Sequence, residues 1–402
     1  MRLSQRALSI QESAIRKLDA TVAKNAHVHY HRLNIGQPDI PTPQVMLDAL
    51  AKEDGKVIAY GPASGTAECR EVAADWMART VSPGLKKEHL VVTQGGSEAL
   101  LFAFCALCDP GDEILVPEPY YTNYNGFATV AAAKVKPIRT RIEDGFAIPS
   151  DEELDKYVTD KTRIFLFSNP GNPTGAIYDE ATVRRVAAWA KRRGLWLVAD
   201  EVYRFIFFDK PAPSALELAD HRDHVIVIDS MSKTFSACGL RIGFLVSRNL
   251  DLMEKIERLG QARLGPQPRA QKATVAALGL PASYYEEVRT TYLKRVNAMM
   301  DALATLPGVS FPRPKGAFYS MVRLPVKDVE VFARFLVEEF RDTSAGKEES
   351  VVVAPGPGFY ADPSSGRDEI RVAAVRDEAT LRRAVEVLGR GLVAFREKHP
   401  GR

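Results

Sequence analysis

A lysine amine can bond covalently to a carbonyl carbon only after it loses its proton, which calls for a partly desolvated, electropositive site. Lys233 stands in the segment Ser230-Met231-Ser232-Lys233-Thr234-Phe235-Ser236-Ala237-Cys238-Gly239-Leu240-Arg241-Ile242-Gly243. A guanidinium such as that of Arg241 pairs with a phosphate dianion through two parallel hydrogen bonds. Gln94-Gly95-Gly96-Ser97 follows an apolar run and opens a helical pattern, so it offers backbone N–H groups and a positive helix end to the same kind of anion. Asp200 ends another apolar run and precedes Glu201-Val202-Tyr203. Taken alone, an acid at a strand end is often a helix cap or a surface charge. In Asn169-Pro170-Gly171-Asn172-Pro173-Thr174-Gly175 two prolines fix a turn, and Asn172 can donate its side-chain amide. Arg371, in Glu369-Ile370-Arg371-Val372-Ala373-Ala374, has the planar fork that clamps a carboxylate and orients what is attached to it.

The Lys233 segment resembles the attachment-site signature of class I/II pyridoxal-phosphate-dependent aminotransferases, and the Asp200–Tyr203 and Asn169–Gly175 segments resemble that family's Asp-Glu-x-Tyr and Asn-Pro-x-Asn-Pro-Thr-Gly motifs. The likeness runs from about Ile15 to the end. It implies that Lys233 carries pyridoxal 5′-phosphate as a Schiff base, with Ser230 and Arg241 on the phosphate together with Gly95, Gly96 and Ser97. Asp200 would pair with the pyridine nitrogen and keep it protonated, so that the ring accepts electrons. Tyr203 and Asn172 would bond the phenolic oxygen. Tyr121, in Pro119-Tyr120-Tyr121-Thr122-Asn123-Tyr124, matches the residue that stacks on the ring, with Tyr120 and Tyr124 as neighbouring candidates. Tyr60 matches a tyrosine that reaches the phosphate of a neighbouring subunit, which implies a homodimer; a structural tyrosine at a turn is the competing reading. Arg371 would clamp the substrate α-carboxylate. Gly36, in Asn34-Ile35-Gly36-Gln37-Pro38-Asp39, would let the backbone approach it.

Such residues need a frame. Short runs rich in Val, Ile, Leu and Phe at Leu90–Thr93, Glu113–Val116, Lys134–Ile138, Arg163–Phe167, Leu195–Ala199, Val225–Asp229 and Gly243–Ser247 read as strands buried on both faces. Helical patterns at Ser97–Cys108, Tyr121–Ala132 and Glu180–Arg193 separate several of them, and Gly194 follows the last as a C-cap. Alternation of this kind predicts an α/β fold with a largely parallel, seven-stranded sheet, helices on both faces, and ligands at the strand ends. Beyond about 285 the pattern changes to long helices at Tyr284–Leu306 and Val329–Phe340, a Pro/Gly loop at Pro355–Phe359 and a strand at Glu369–Val375. The expected division is a large cofactor domain over 46–285 and a smaller α+β domain from 1–45 and 286–402, the fold-type I architecture that the resemblance implies.

Composition bounds the alternatives. The 402 residues are 46% hydrophobic and 26% charged, with a net charge of +3. That is a globular balance with no basic block of the kind nucleic acid requires. No run reaches the roughly 20 apolar residues of a membrane span. The N-terminus lacks a continuous apolar stretch followed by a small-residue cleavage site, so the cytoplasm is expected. Leu3, Ala7, Ile10, Ala14, Leu18 and Val22 recur at helical spacing; Glu12 and Asp19 among them favour an ordinary amphipathic helix over a transit peptide. Cys105 and Cys108 form a Cys-x-x-Cys pair without a second pair to complete a zinc site, and read as core residues; no metal is expected.

The expected activity is ping-pong transamination between an L-amino acid and 2-oxoglutarate. Cofactor residues alone do not separate it from a β-lyase, a decarboxylating transferase or a ring-forming synthase on the same scaffold. A fused DNA-binding regulator has no room in the forty-odd residues before the large domain, and a dinucleotide oxidoreductase lacks its Gly-x-Gly-x-x-Gly loop. Ser13–Leu18 and 34–43 look most like aspartate-specific aminotransferases; alanine, aromatic or specialised donors stay open. A dicarboxylic donor wants a further cation. Arg263, in Gln261-Ala262-Arg263-Leu264, lies where relatives supply one, with a solvent-facing arginine as the other reading.

Overall fold

The computed structural model describes residues 1–10, 18–52, 57 and 59–400. Its strands are β1 (His29–Arg32), β2 (Leu90–Thr93), β3 (Glu113–Glu118), β4 (Lys134–Arg139), β5 (Thr162–Ser168), β6 (Trp196–Asp200), β7 (Val225–Ser230), β8 (Gly243–Val246), β9 (Tyr319–Arg323), β10 (Glu349–Val352), β11 (Ala354–Pro355) and β12 (Glu369–Ala373). Seven of them form one sheet in the order β2-β8-β7-β6-β5-β3-β4. The chain is an α/β protein with a mostly parallel seven-stranded sheet and a smaller sheet beside it.

Alternate side chains of a strand point to opposite faces, and here both faces are apolar. Val92, Phe165, Phe167, Leu197 and Val227 pack on one side, against helices that include Ala67–Thr80, Glu180–Arg192 and Pro268–Leu278. Val91, Ile164, Leu166, Val198 and Ile226 pack on the other, against Gly95–Leu107, Asn123–Val130 and Leu250–Arg263. Gly194 follows Glu180–Arg192 at φ +69°, and Leu195 N–H returns to the Ala190 carbonyl at 2.9 Å, the left-handed exit that glycine permits.

One strand runs against the rest. β8 is antiparallel to both β2 and β7. No crossover helix separates β7 from β8; a loop with one short 3₁₀ turn, Cys238–Leu240, connects them. A parallel return needs a longer crossover, so β8 folds back and Lys233 is left in the loop at the sheet end.

A second apolar cluster joins Leu33 to Val296, Val322, Phe332, Val351, Ile370 and Leu388. It packs around the antiparallel sheet β11-β12-β9 and the parallel pair β1-β10. The long helix Ala282–Leu303 reaches from the first core, through Tyr285, to the second, through Val296 and Met300.

The N-terminus departs from the single amphipathic helix expected from Leu3 to Val22. Helix Gln5–Ser9 buries no residue and ends at Ile10, which is extended; helix Asp19–Lys24 buries only Val22. The intervening stretch, with Ala14 and most of Ser13–Leu18, lies outside the described residues. Among the described residues no helix is long and apolar enough to cross a membrane.

Candidate active site

The strand ends and loops just described meet around a cavity of about 580 Å³. Gly36, Gly96, Ser97, Tyr121, Asn172, Asp200, Tyr203, Ser230, Lys233, Arg241 and Arg371 all line it. Among the described residues its charged lining is three cations, Lys233, Arg241 and Arg371, against one carboxylate, Asp200. Among the described residues none of the three cations has a carboxylate within ion-pair distance.

β6 delivers Asp200 to its C-terminal end, the edge where ligands of such sheets bind. The carboxylate is buried and accepts a hydrogen bond from the Tyr124 hydroxyl at 2.7 Å. Burial, opposed in part by that hydrogen bond, pushes its pKa up to about 6. Tyr203 follows, its hydroxyl 2.9 Å from that of Tyr319. Burial pushes the Tyr203 phenol well up, so that hydroxyl keeps its proton at neutral pH.

The loop after β7 carries Lys233, whose Nζ donates to the Gly36 carbonyl at 3.0 Å. A Cβ on Gly36 would stand 1.7 Å from the Tyr319 hydroxyl oxygen, so glycine is required by the close approach of that tyrosine. Arg371, on β12, is only 1% exposed. It donates from Nη1 to Asn172 Oδ1 at 3.3 Å and from Nη2 to the Asn34 carbonyl. Its guanidinium carbon lies 4.6 Å from the centre of the Tyr319 ring and 5.0 Å from that of Phe359, and its Nε has no hydrogen-bond partner. A buried guanidinium with unspent donors fits a carboxylate.

On the opposite side, helix Gly95–Leu107 begins without a side-chain cap. Gly95 sits at φ +75°, and a Cβ there would fall 2.7 Å from Arg241 Nη2, so the glycine keeps open the space between helix end and guanidinium. Arg241 is itself left-handed, at φ 57°, and donates to the Cys238 and Gln94 carbonyls at 3.0 and 3.3 Å. Ser230 and Ser232 contribute hydroxyls 2.8 Å apart. Open helix N–H groups, two hydroxyls and a guanidinium form a donor set suited to a phosphate dianion. Together with a half-buried lysine and a carboxylate facing the same cavity, they fit pyridoxal 5′-phosphate, the cofactor of the family suggested by the motifs.

Tyr121 lines the cavity from the end of β3, where Tyr120 N–H bonds the Phe359 carbonyl at 3.0 Å. The rivalry among three tyrosines resolves by position: Tyr124 reaches Asp200, Tyr120 bonds Asn125 at 3.0 Å, and Tyr121 faces the cavity. Tyr60 does not join them; it is 85% exposed.

Arg263 follows neither of its readings. Its side chain is 15% exposed and ion-paired with Glu98 at 3.3 Å, and it donates to the Ala63 and Val92 carbonyls at 3.3 Å. It is absent from the cavity wall. Glu98 captures it from the first turn of helix Gly95–Leu107, a contact invisible to spacing alone. One lining residue, Tyr319, escaped the motifs. It could have been flagged from the aromatic pair Phe318-Tyr319 after Gly316; Tyr124, a candidate for the ring, instead supports Asp200 from behind the wall.

Residues 28–388 match the family described as aminotransferase class I and II. The chain is 31% identical to the aspartate/prephenate aminotransferase of Thermus thermophilus, over 96% of this chain and all of that one. It is 28% identical to the aspartate aminotransferase of Sulfolobus acidocaldarius, over 91% of this chain and 90% of the relative. Its structure is similar to that of Thermus thermophilus aspartate aminotransferase with maleate (TM-score 0.87, 29% identity, 97% of this chain and 100% of that one). It is also similar to the alanine aminotransferase of Pyrococcus furiosus (TM-score 0.88, 30% identity, 98% and 100%).

Proposed function

The chain belongs to the class I and II aminotransferases, a pyridoxal-phosphate-dependent family, and we propose that it moves the amino group of L-aspartate to 2-oxoglutarate through the cavity around Lys233. The observation that carries this reading is the surplus of cations there: Lys233, Arg241 and Arg371 face one space with Asp200 as the sole acid among the described lining residues.

When bound, pyridoxal 5′-phosphate supplies an electron-accepting ring that stabilises negative charge at the substrate Cα. Gly95, Gly96, Ser97, Ser230 and Arg241 would hold the phosphate. Asp200 would hold the ring nitrogen in its protonated state, and burial makes that carboxylate eager for a cationic partner. Tyr203 and Asn172 would donate to the phenolic oxygen, and Tyr121 would cover the ring. Arg371, with Asn172 and the backbone at Gly36, would receive the substrate α-carboxylate and fix the Cα–H direction. Lys233 would take the proton from Cα as general base, since its Nζ already reaches the floor of the same space. In a homodimer, Tyr60 would meet the phosphate of the other subunit; its exposure in one chain agrees with that role.

The aspartate assignment draws on the relatives' activities. A panel of amino donors, read as 2-oxo acid released with 2-oxoglutarate as acceptor, tests it. Aspartate should give the highest kcat/KM; an inert aspartate beside an active alanine or aromatic donor would reject the substrate while keeping the reaction. Failure of every donor would reject the reaction.

A further inference from the structure

Three of the chain's seven histidines fall within five residues, in His27-Val28-His29-Tyr30-His31, and none lines the cavity. Period-two alternation puts His29 and His31 on one face of β1. β10 runs parallel beside it with Glu349 opposite His29, so the carboxylate joins that face. One ligand atom from each of His29, His31 and Glu349 lies within 4.8 Å of the others. Chain elements more than three hundred residues apart thus bring two imidazoles and a carboxylate together.

His31 is the second sign. It is 6% exposed, and neither ring nitrogen makes a hydrogen bond. Its Nε2 stands 3.4 Å from Glu349 Oε1 without the alignment a hydrogen bond requires. Buried polar atoms are rarely left this way in a folded protein. His29 closes the group from the solvent side, its ring edge-on to that of His31 at 4.7 Å.

We infer that His29, His31 and Glu349 form a binding site for a divalent transition-metal ion of the zinc class, separate from the catalytic cavity. Imidazole nitrogen with carboxylate oxygen suits Zn²⁺ and its neighbours rather than Mg²⁺ or Ca²⁺. The second Glu349 oxygen is already held by Arg383 Nε at 2.8 Å, the outer contact that orients a ligating carboxylate. Lys347, 57% exposed, rests 3.2 Å from Oε1 and is the cation the metal displaces. Tetrahedral coordination brings ligand atoms to about 3.3 Å of one another; turning the exposed His29 ring supplies the closure. A water completes the fourth position on that open side. The ion fastens β1 to β10 just before Leu33–Gly36, the stretch whose carbonyls hold Arg371 and Lys233, so its role is to stiffen the wall of the site.

The test is calorimetric titration of the tag-free, cofactor-loaded enzyme with ZnCl₂ after chelator treatment, alongside thermal unfolding with and without the metal. One Zn²⁺ per chain should bind with Kd of about 1 μM or tighter, and the unfolding midpoint should rise. His29→Ala, an exposed substitution, should weaken binding more than about a hundredfold, beyond the 10–100-fold typical of outer-shell partners, and cancel the thermal shift. Glu349→Gln should do the same. Co²⁺ should give visible d–d absorption in the wild type and lose it in His29→Ala. Absence of saturable Zn²⁺ binding in the wild type overturns the inference, as does affinity unchanged in His29→Ala.

Discussion

Asp200 and Glu201 are adjacent, both buried, and they meet opposite circumstances. Asp200 faces a cavity with three cations, and its one side-chain partner is a tyrosine. Glu201 accepts from Ala215 N–H at 2.8 Å and lies 3.5 Å from Arg204, whose guanidinium bonds Asp229 at 2.9 Å. Arg204 also stacks over Phe205 at 4.4 Å. Behind the sheet end, then, two carboxylates enclose one guanidinium and the space is full. In front, three cations line a cavity and none of them is ion-paired with a carboxylate among the described residues. Burial raises the pKa of both acids, so burial alone does not mark function; a cavity lined by cations with no carboxylate paired to them does.

Removing charge from each region should break different things. Lys233→Ala should lower turnover by at least about 10⁴-fold and abolish the absorbance of the lysine-bound cofactor, with the unfolding midpoint nearly unchanged. A variant that kept its turnover would move the chemistry elsewhere. Arg204→Met should do the reverse. Stranding Asp229 and Glu201 costs about 3–5 kcal/mol of stability in urea titration, while kcat per folded molecule holds within a few-fold. A large kcat loss without destabilisation would erase the distinction between the two regions.

Asp200→Asn probes the cavity side by pH. Raised to about 6 from its ordinary 3.8, the carboxyl costs the cofactor-free fold nothing below about pH 4, where it is protonated folded and unfolded alike. As pH rises through 6 it must ionise in place, a penalty of about 3 kcal/mol. Cofactor-free Asp200→Asn should therefore be more stable than wild type above pH 6 and equal to it below pH 4, with a turnover defect of about a hundredfold or more once loaded. Equal stability at pH 8 would contradict the burial argument. The smallest effect belongs to Arg371→Lys, which keeps the charge and loses the fork. KM for the amino donor should rise about tenfold, with kcat less affected; an unchanged KM would remove Arg371 from the substrate's contacts.

Much of this was legible in the residues. β2 occupies the predicted Leu90–Thr93, and the other six strands of the large sheet appear within two residues at each end, because runs apolar on both faces have few alternatives. Residues tied to local motifs, Lys233 and Arg241 in one and Asn172 in the other, landed on the cavity. What escaped depended on contacts between distant segments. Tyr319 matters because Gly36, far back in the chain, passes against it. Arg263 was claimed by Glu98, a choice among carboxylates that no spacing rule makes. The reversal of β8 was implicit in the missing helix before it, but hydrophobic runs carry no direction. The pairing of β1 with β10 joins the first strand to one beyond residue 348, and nothing local in either foretells it.

Lys233 and Arg371 lean on two backbone oxygens of one short stretch, those of Gly36 and Asn34. A carbonyl is a neutral acceptor, and a carboxylate adds the attraction of opposite charges to the same hydrogen bond. These oxygens therefore act as placeholders: they park both cations in position, and an arriving anion can outbid them without the side chains having to search for a new orientation. The stretch after β1 is in this sense a parking brake on the site, released by the ligand's own charge.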